Sequence, residues 1–244
     1  MNLQRKNRRE NNVRKFAIII VVLITLLLLG NTQSNGTGIA LVNYPNKSTI
    51  VDSVSTPSKK LLGEMVYLPN TPFDEREAAA IVTRLNRLPL TMLTKINQQG
   101  IKINLFTGSL TDNPTAKHLR GVKPRGYIGN TTWDDVPGIG GSKTILVKIG
   151  ASKPGNGHSS INLELHELAH SIDRYLYNEI RNNPRFLKIW EQERGVLFRD
   201  STYLTTFPEE YFAETFAMYF LNDATKEKLQ RLAPKTFEFL QVLQ

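Results

Sequence analysis

Residues 161–176 read INLELHELAHSIDRYL, and the fold is best read outward from them. Ile161, Leu165, Leu168, Ile172 and Leu176 recur at helical spacing, so a helix with one apolar face turned to a core is expected here. His166 and His170 are four residues apart, so their rings leave the helix on one adjacent stripe. Two imidazoles at that spacing can share a single tetrahedral zinc ion. Glu167 is turned about 100° from His166, beside such an ion yet free to take a proton from a water bound to it. His-Glu-x-x-His on a helix is a signature of zinc peptidases. The chain has four histidines, and two of them fall in it.

A catalytic zinc takes three protein ligands and keeps a fourth position for water. The segment TFPEEYFAETFA, residues 206–217, offers Glu209, Glu210 and Glu214. Thr206 and Glu209 fit a capping box, with Pro208 tolerated in the first helical turn. That leaves Glu210 and Glu214, four apart and on one face. Glu210 is the expected third ligand, and Glu214 the expected acceptor for the free ring N–H of a ligating histidine. Tyr211, Phe212, Phe216, Tyr219 and Phe220 make this helix too apolar to be solvated all round. Tyr203 lies seven residues before Glu210. A phenol beside the metal can donate to an oxyanion, although spacing alone does not select this one.

Around these two helices the chain reads as α+β, a small mixed sheet followed by a helical C-terminal half. Helices are expected over 73–88 and 89–98, and strands over 101–105 and 144–149. Beyond Ser159 helices are expected at 161–176, 184–194, 208–221, 224–232 and 234–243. Residues 31–60 are rich in Asn, Ser, Thr, Gly and Pro and read as a flexible linker, so the domain is placed at 61–244. Residues 1–15 carry six basic side chains and one acid, and 16–29 form an uncharged run of fourteen. This is the pattern of an export signal, either cleaved or kept as a membrane tether through 16–29. The chain is then secreted, or extracellular and anchored. Of the net charge of +9, five units lie in residues 1–15, leaving +4 for the rest, poor grounds for a nucleic-acid partner. The absence of cysteine excludes thiolate zinc sites and leaves His and carboxylate as the only metal ligands.

The stretch Glu210-Tyr-Phe-Ala-Glu214, with Ala233-Pro-Lys-Thr-Phe237-Glu-Phe239 after it, resembles the catalytic domain of anthrax lethal factor. The small, secreted Pro-Pro endopeptidases of Gram-positive bacteria share that domain and are the nearer match, and their pattern also includes a segment similar to Gly126-Tyr127…Thr132-Trp133-Asp-Asp-Val-Pro-Gly-Ile-Gly140-Gly141 here. The resemblance implies a gluzincin with one zinc per chain, held by His166, His170 and Glu210. It further implies Glu167 as general base, Tyr203 as oxyanion partner and Glu214 as supporting carboxylate. Trp133 is implied to pack on substrate prolines, and Gly140 and Gly141 to let substrate backbone approach an edge strand at 144–149. Tyr127 stands where the pattern carries a tryptophan. The implied substrate is a proline-containing linker of an extracellular protein, cut by a monomer. A toxin protease acting on host proteins and a non-catalytic surface-binding module are the rival readings. His118 and His158 are read as loop residues without a role, and Trp190 as core.

Overall fold

The computed structural model describes residues 38–243 apart from Asn46, Ser53 and Ile128. The basic segment 1–15, the uncharged run 16–29 and the start of the linker lie outside the described residues. Among the described residues, five strands form one mixed sheet in the order β1-β2-β3-β5-β4. They are β1 (Gly38–Ala40), β2 (Val66–Pro69), β3 (Lys102–Phe106), β4 (Gly138–Ile139) and β5 (Thr144–Lys148). The two central pairings, β2 with β3 and β3 with β5, are parallel, and both outer strands run antiparallel to their neighbours. Parallel pairs need long crossovers. The one from β2 to β3 carries α3 (Glu75–Leu85) and α4 (Leu90–Gln98), following α1 (Lys47–Val51) and α2 (Thr56–Met65) earlier in the chain. Asp74 caps α3 by accepting from the N–H groups of Arg76 and Glu77 at 2.9 and 3.1 Å. An Asp at that position ends the extended approach and starts the helix, which is why α3 begins at Glu75 and not at Phe73.

The C-terminal half is helical: α5 (Leu163–Tyr175), α6 (Pro184–Leu197), α7 (Thr202–Thr206), α8 (Pro208–Leu221), α9 (Asp223–Leu232) and α10 (Pro234–Val242). Asn162 caps α5 through its side-chain oxygen, which accepts from Leu165 N–H at 3.1 Å. Leu165, Leu168, Ala169 and Ile172 on α5 are fully buried in the main core. α8 is buried without interruption from Glu210 to Phe220, as a helix apolar all round must be. It packs along α5, and that pairing carries the site. One face of the sheet (Ile103, Leu105, Ile145, Val147) joins the same core. The other face presents Phe106 and Leu146 to a smaller cluster with Leu110 and Ala116, against which Trp133 and Ile139 pack.

Three expectations are corrected. Residues 38–60 are not a linker: they contain β1, α1 and the start of α2, and Leu41, Ile50 and Val54 are buried in the main core. Composition misled here because three well-placed apolar side chains suffice to dock a polar stretch on an existing core. The strand at 144–148 is not an edge, since β4 covers its outer side. Thr206 does not cap α8: it ends α7, and Phe207 occupies the cap position without a side-chain hydrogen bond.

Candidate metal centre and cleft

α5 and α8 bring His166, His170 and Glu210 to one point. His166 Nε2 lies 3.3 Å from Glu210 Oε2, His170 Nε2 lies 3.4 Å from the same oxygen, and the two ring nitrogens are 3.3 Å apart. Three donors sharing a tetrahedral ion at about 2.0–2.1 Å stand roughly 3.3–3.4 Å from one another. The triangle is thus compatible with one small metal ion at its centre. Glu214, one turn along α8, accepts from Ile161 N–H at 2.8 Å through Oε1 and sits 3.1 Å from His166 Nδ1 through Oε2. That contact settles a proton on Nδ1 and turns Nε2 to the triangle, where it takes either a second proton or a metal ion.

Electrostatics at this point favour a positive charge. Burial opposes charging His166, but Glu210, Glu214 and Glu167 outweigh it and push its pKa up to about 10. Burial likewise works against an ionised Glu210, yet hydrogen bonds and charge from His166 and His170 hold its carboxyl well below the usual range. The outer oxygen of Glu210, Oε1, accepts from Tyr203 Oη at 2.7 Å and from Arg125 Nη2 at 3.3 Å. Arg125 also donates to Glu209 at 2.8 Å and lies 4.1 Å over the Phe207 ring. Glu209 is therefore turned to Arg125 and away from the histidines. Burial and the Glu210 carboxylate, only partly offset by Arg125, hold the Tyr203 phenol well above its ordinary value, so it keeps its proton and remains a donor.

These groups line a cleft of about 770 Å³, together with Glu167, Tyr127, Trp133, Gly140, Gly141 and His158. Trp133 packs against the smaller cluster and also lines the cleft. Its loop is held by Asp134, which accepts from Thr111 Oγ1, from Gly121 N–H at 2.7 Å and from Thr132 Oγ1 at 2.9 Å. The Thr111 and Gly121 bonds lead in lowering its pKa to about 2. Tyr127 donates to Gly157 O at 3.2 Å and joins two rims of the cleft. His158 lies on that rim, its ring between Ser160 Oγ and Ala151 O at 2.7 and 2.6 Å. His118 sits in a 3-10 turn away from the cleft lining, and Trp190 packs against the main core.

The two glycines meet different neighbours. A Cβ at Gly140 would stand 2.0 Å from the Glu167 carbonyl oxygen. Its bare Cα lets β4 lie directly on α5, which seats the edge strand beside the histidines before any substrate arrives. Gly141 follows at φ +77° with no such contact, and its N–H donates to Ser171 Oγ at 3.1 Å while Ser171 donates to Ser142 O at 2.7 Å. Gly140→Ala is expected to lift β4 from α5, costing roughly 1–3 kcal/mol of stability and a large part of kcat/KM. Thermal melting beside kinetics tests this, and an unchanged melting temperature would refute the close approach. Arg125, Ser171 and the partner-making role of Gly126 were not legible. A Cβ at Gly126 would meet the Tyr203 ring at 2.6 Å, a constraint set across 77 residues that no local pattern announces.

The comparisons with known proteins agree with this geometry. The family model for anthrax toxin lethal factor, N- and C-terminal domain, matches residues 52–243. A Pro-Pro endopeptidase of Clostridioides difficile (strain 630) is 42% identical over 207 residues, covering 84% of this chain and 93% of that protein. One from Paenibacillus alvei is 39% identical over 183 residues, covering 75% and 84%. The solved structure of a Pro-Pro endopeptidase from Paenibacillus alvei superimposes with a TM-score of 0.72, at 39% identity, over 75% of this chain and all of that one. With a His-His-Glu group compatible with a metal where the family signature places it, the chain is a metalloendopeptidase belonging to the anthrax lethal factor and Pro-Pro endopeptidase family.

Proposed function

We propose that this chain is an exported zinc endopeptidase that cuts between prolines in extended segments of extracellular proteins. The observation that carries the reading is the triangle of His166, His170 and Glu210 donors, 3.3–3.4 Å on each side, in a cleft walled by Trp133 and Tyr127. Two imidazoles and one carboxylate with an open fourth position suit a catalytic zinc. Bound there, zinc supplies Lewis-acid polarisation and a water whose pKa falls to about 7.

The chain's own residues do the rest. Glu167 takes the proton of the attacking water and hands it to the leaving nitrogen. Tyr203, whose phenol stays protonated, donates to the scissile carbonyl oxygen as negative charge develops on it. To do so it leaves Glu210 Oε1, which Arg125 continues to hold. Glu214 keeps the His166 ring in one tautomer. β4 offers an extended peptide a free backbone edge. Proline has a flat apolar ring and no N–H, so aromatic faces such as Trp133 and Tyr127 suit it better than a ladder of polar partners. The names of the two relatives support the Pro-Pro bond as the one cut, and the basic-then-apolar pattern of residues 1–29 supports export.

A proline-centred peptide library incubated with the purified protein, with and without a chelator, tests this reading. Cleavage restricted to Pro-Pro bonds, lost with the chelator and restored by zinc, is the expected result, read by mass spectrometry. Cleavage at bonds without proline would sink the specificity, and chelator-resistant cleavage would sink the zinc. Export is checked by recovering the protein from culture medium or cell surface; retention in the cytosol would overturn it.

A further inference from the structure

His166, His170 and Arg174 follow one another at intervals of four on α5. Arg174 therefore continues the histidine stripe one turn, about 5.4 Å, further along the axis. Its side chain is exposed and lines the same cleft. Nη1 donates to Gly141 O at 3.3 Å, which leaves Nε and Nη2 for another acceptor. The other charged groups at this end are already engaged or oppose it only in part. Arg181 donates through Nε at 2.6 Å to the buried carboxylate of Asp173, while Glu179 is exposed and accepts from Asn182 at 2.8 Å. Lys143 lies 5.6 Å from the Tyr175 ring.

An extended peptide laid along β4 advances about 3.3 Å per residue. One turn of α5 beyond His170 thus corresponds to roughly two residues of substrate, on the side that passes Gly141. We propose that Arg174 is a specificity-determining residue that pairs with an acidic side chain two to four residues from the scissile bond, so that the substrate class is an acidic, proline-containing segment. This rests on the endopeptidase reading above and adds to it a charge preference confined to one side of the cut. The planar fork of Arg174 suits a carboxylate, and its exposure limits the gain to about two- to fivefold in kcat/KM.

The test uses peptides with a constant Pro-Pro core and Glu or Gln at the second, third or fourth position on either side of the cut. Wild-type protein is expected to favour Glu about two- to fivefold on one side only, mainly through KM, with the preference shrinking as salt rises. Arg174→Gln, which keeps an N–H for Gly141 O, should bring the Glu/Gln ratio to one. Arg174→Lys should keep a preference, and Arg174→Glu should transfer it to Lys-bearing peptides. Glu179→Gln, removing the opposing carboxylate, should widen the wild-type ratio. A wild-type ratio of one at every position, or a preference that survives Arg174→Gln, overturns the inference alone. Failure to cut any peptide, the Gln series included, overturns the endopeptidase reading and this inference with it.

Discussion

Glu167→Gln is expected to lower kcat/KM by about 10²–10⁴-fold, the range that a positioned general base supplies, while metal content and melting temperature stay at wild-type values. The substitution is nearly isosteric, which matters because Glu167 sits against β4, its Cγ 3.1 Å from the place a Cβ would take at Gly138. Truncation to Ala would confuse lost chemistry with a loosened strand. Glu167 is not one of the three converging donors, so an amide at this position leaves the metal centre intact and removes only the proton acceptor. The loss should fall in kcat more than in KM, because binding along β4 and the aromatic wall is untouched. Metal analysis and kinetics on the same sample decide the matter. A variant that keeps its metal and works within tenfold of wild type would mean that another group takes the proton.

That His166, His170 and the cleft-lining Glu167 stand out in the sequence itself reflects how much information one helix period holds. A five-residue pattern places three side chains through α-helical geometry alone, and Asn162 then defines where the helix starts. α8 was legible for a different reason: its aromatic residues are too many for a helix solvated all round, and the structure buries it from Glu210 to Phe220. Phase set Glu210 and Glu214 apart from Glu209, and in the structure the first two turn to His166 while Glu209 turns to Arg125. The reason offered for Glu209 was wrong nonetheless, because Thr206 belongs to its own short helix. What escaped the sequence depends on contacts between distant segments. Arg125 meets Glu209 across 84 residues, and Gly126 makes room for Tyr203. β4 is two residues long between Pro137 and Gly140, too short for any alternation to register. Leu41, Ile50 and Val54 show no period of their own and acquire meaning only from the core they enter.

Glu210→Ala is expected to abolish metal retention and, with it, all measurable cleavage, whereas Glu214→Gln should weaken metal binding by about 10–100-fold and leave activity recoverable at high zinc. The contrast follows from what each carboxylate touches. Glu210 Oε2 closes the triangle with both Nε2 atoms; without it the ion has two imidazoles 3.3 Å apart and no anionic ligand. Glu214 acts through His166, and a glutamine there can still accept from Nδ1–H but has one oxygen for two donors, since Ile161 N–H uses the other. The ordering can be read without any peptide. Zinc that binds only the folded chain stabilises it by about 4.1 kcal/mol at a thousandfold excess over Kd. Glu214→Gln should fall short of that by roughly 1.4–2.7 kcal/mol, and Glu210→Ala should show no zinc-dependent shift. Glu209→Ala provides the decisive comparison, because it removes a carboxylate on the same turn of α8 that faces Arg125 instead. If Glu209→Ala lost the zinc shift and Glu210→Ala retained it, the third ligand would be the wrong glutamate, and the role given to helix phase in choosing it would fail.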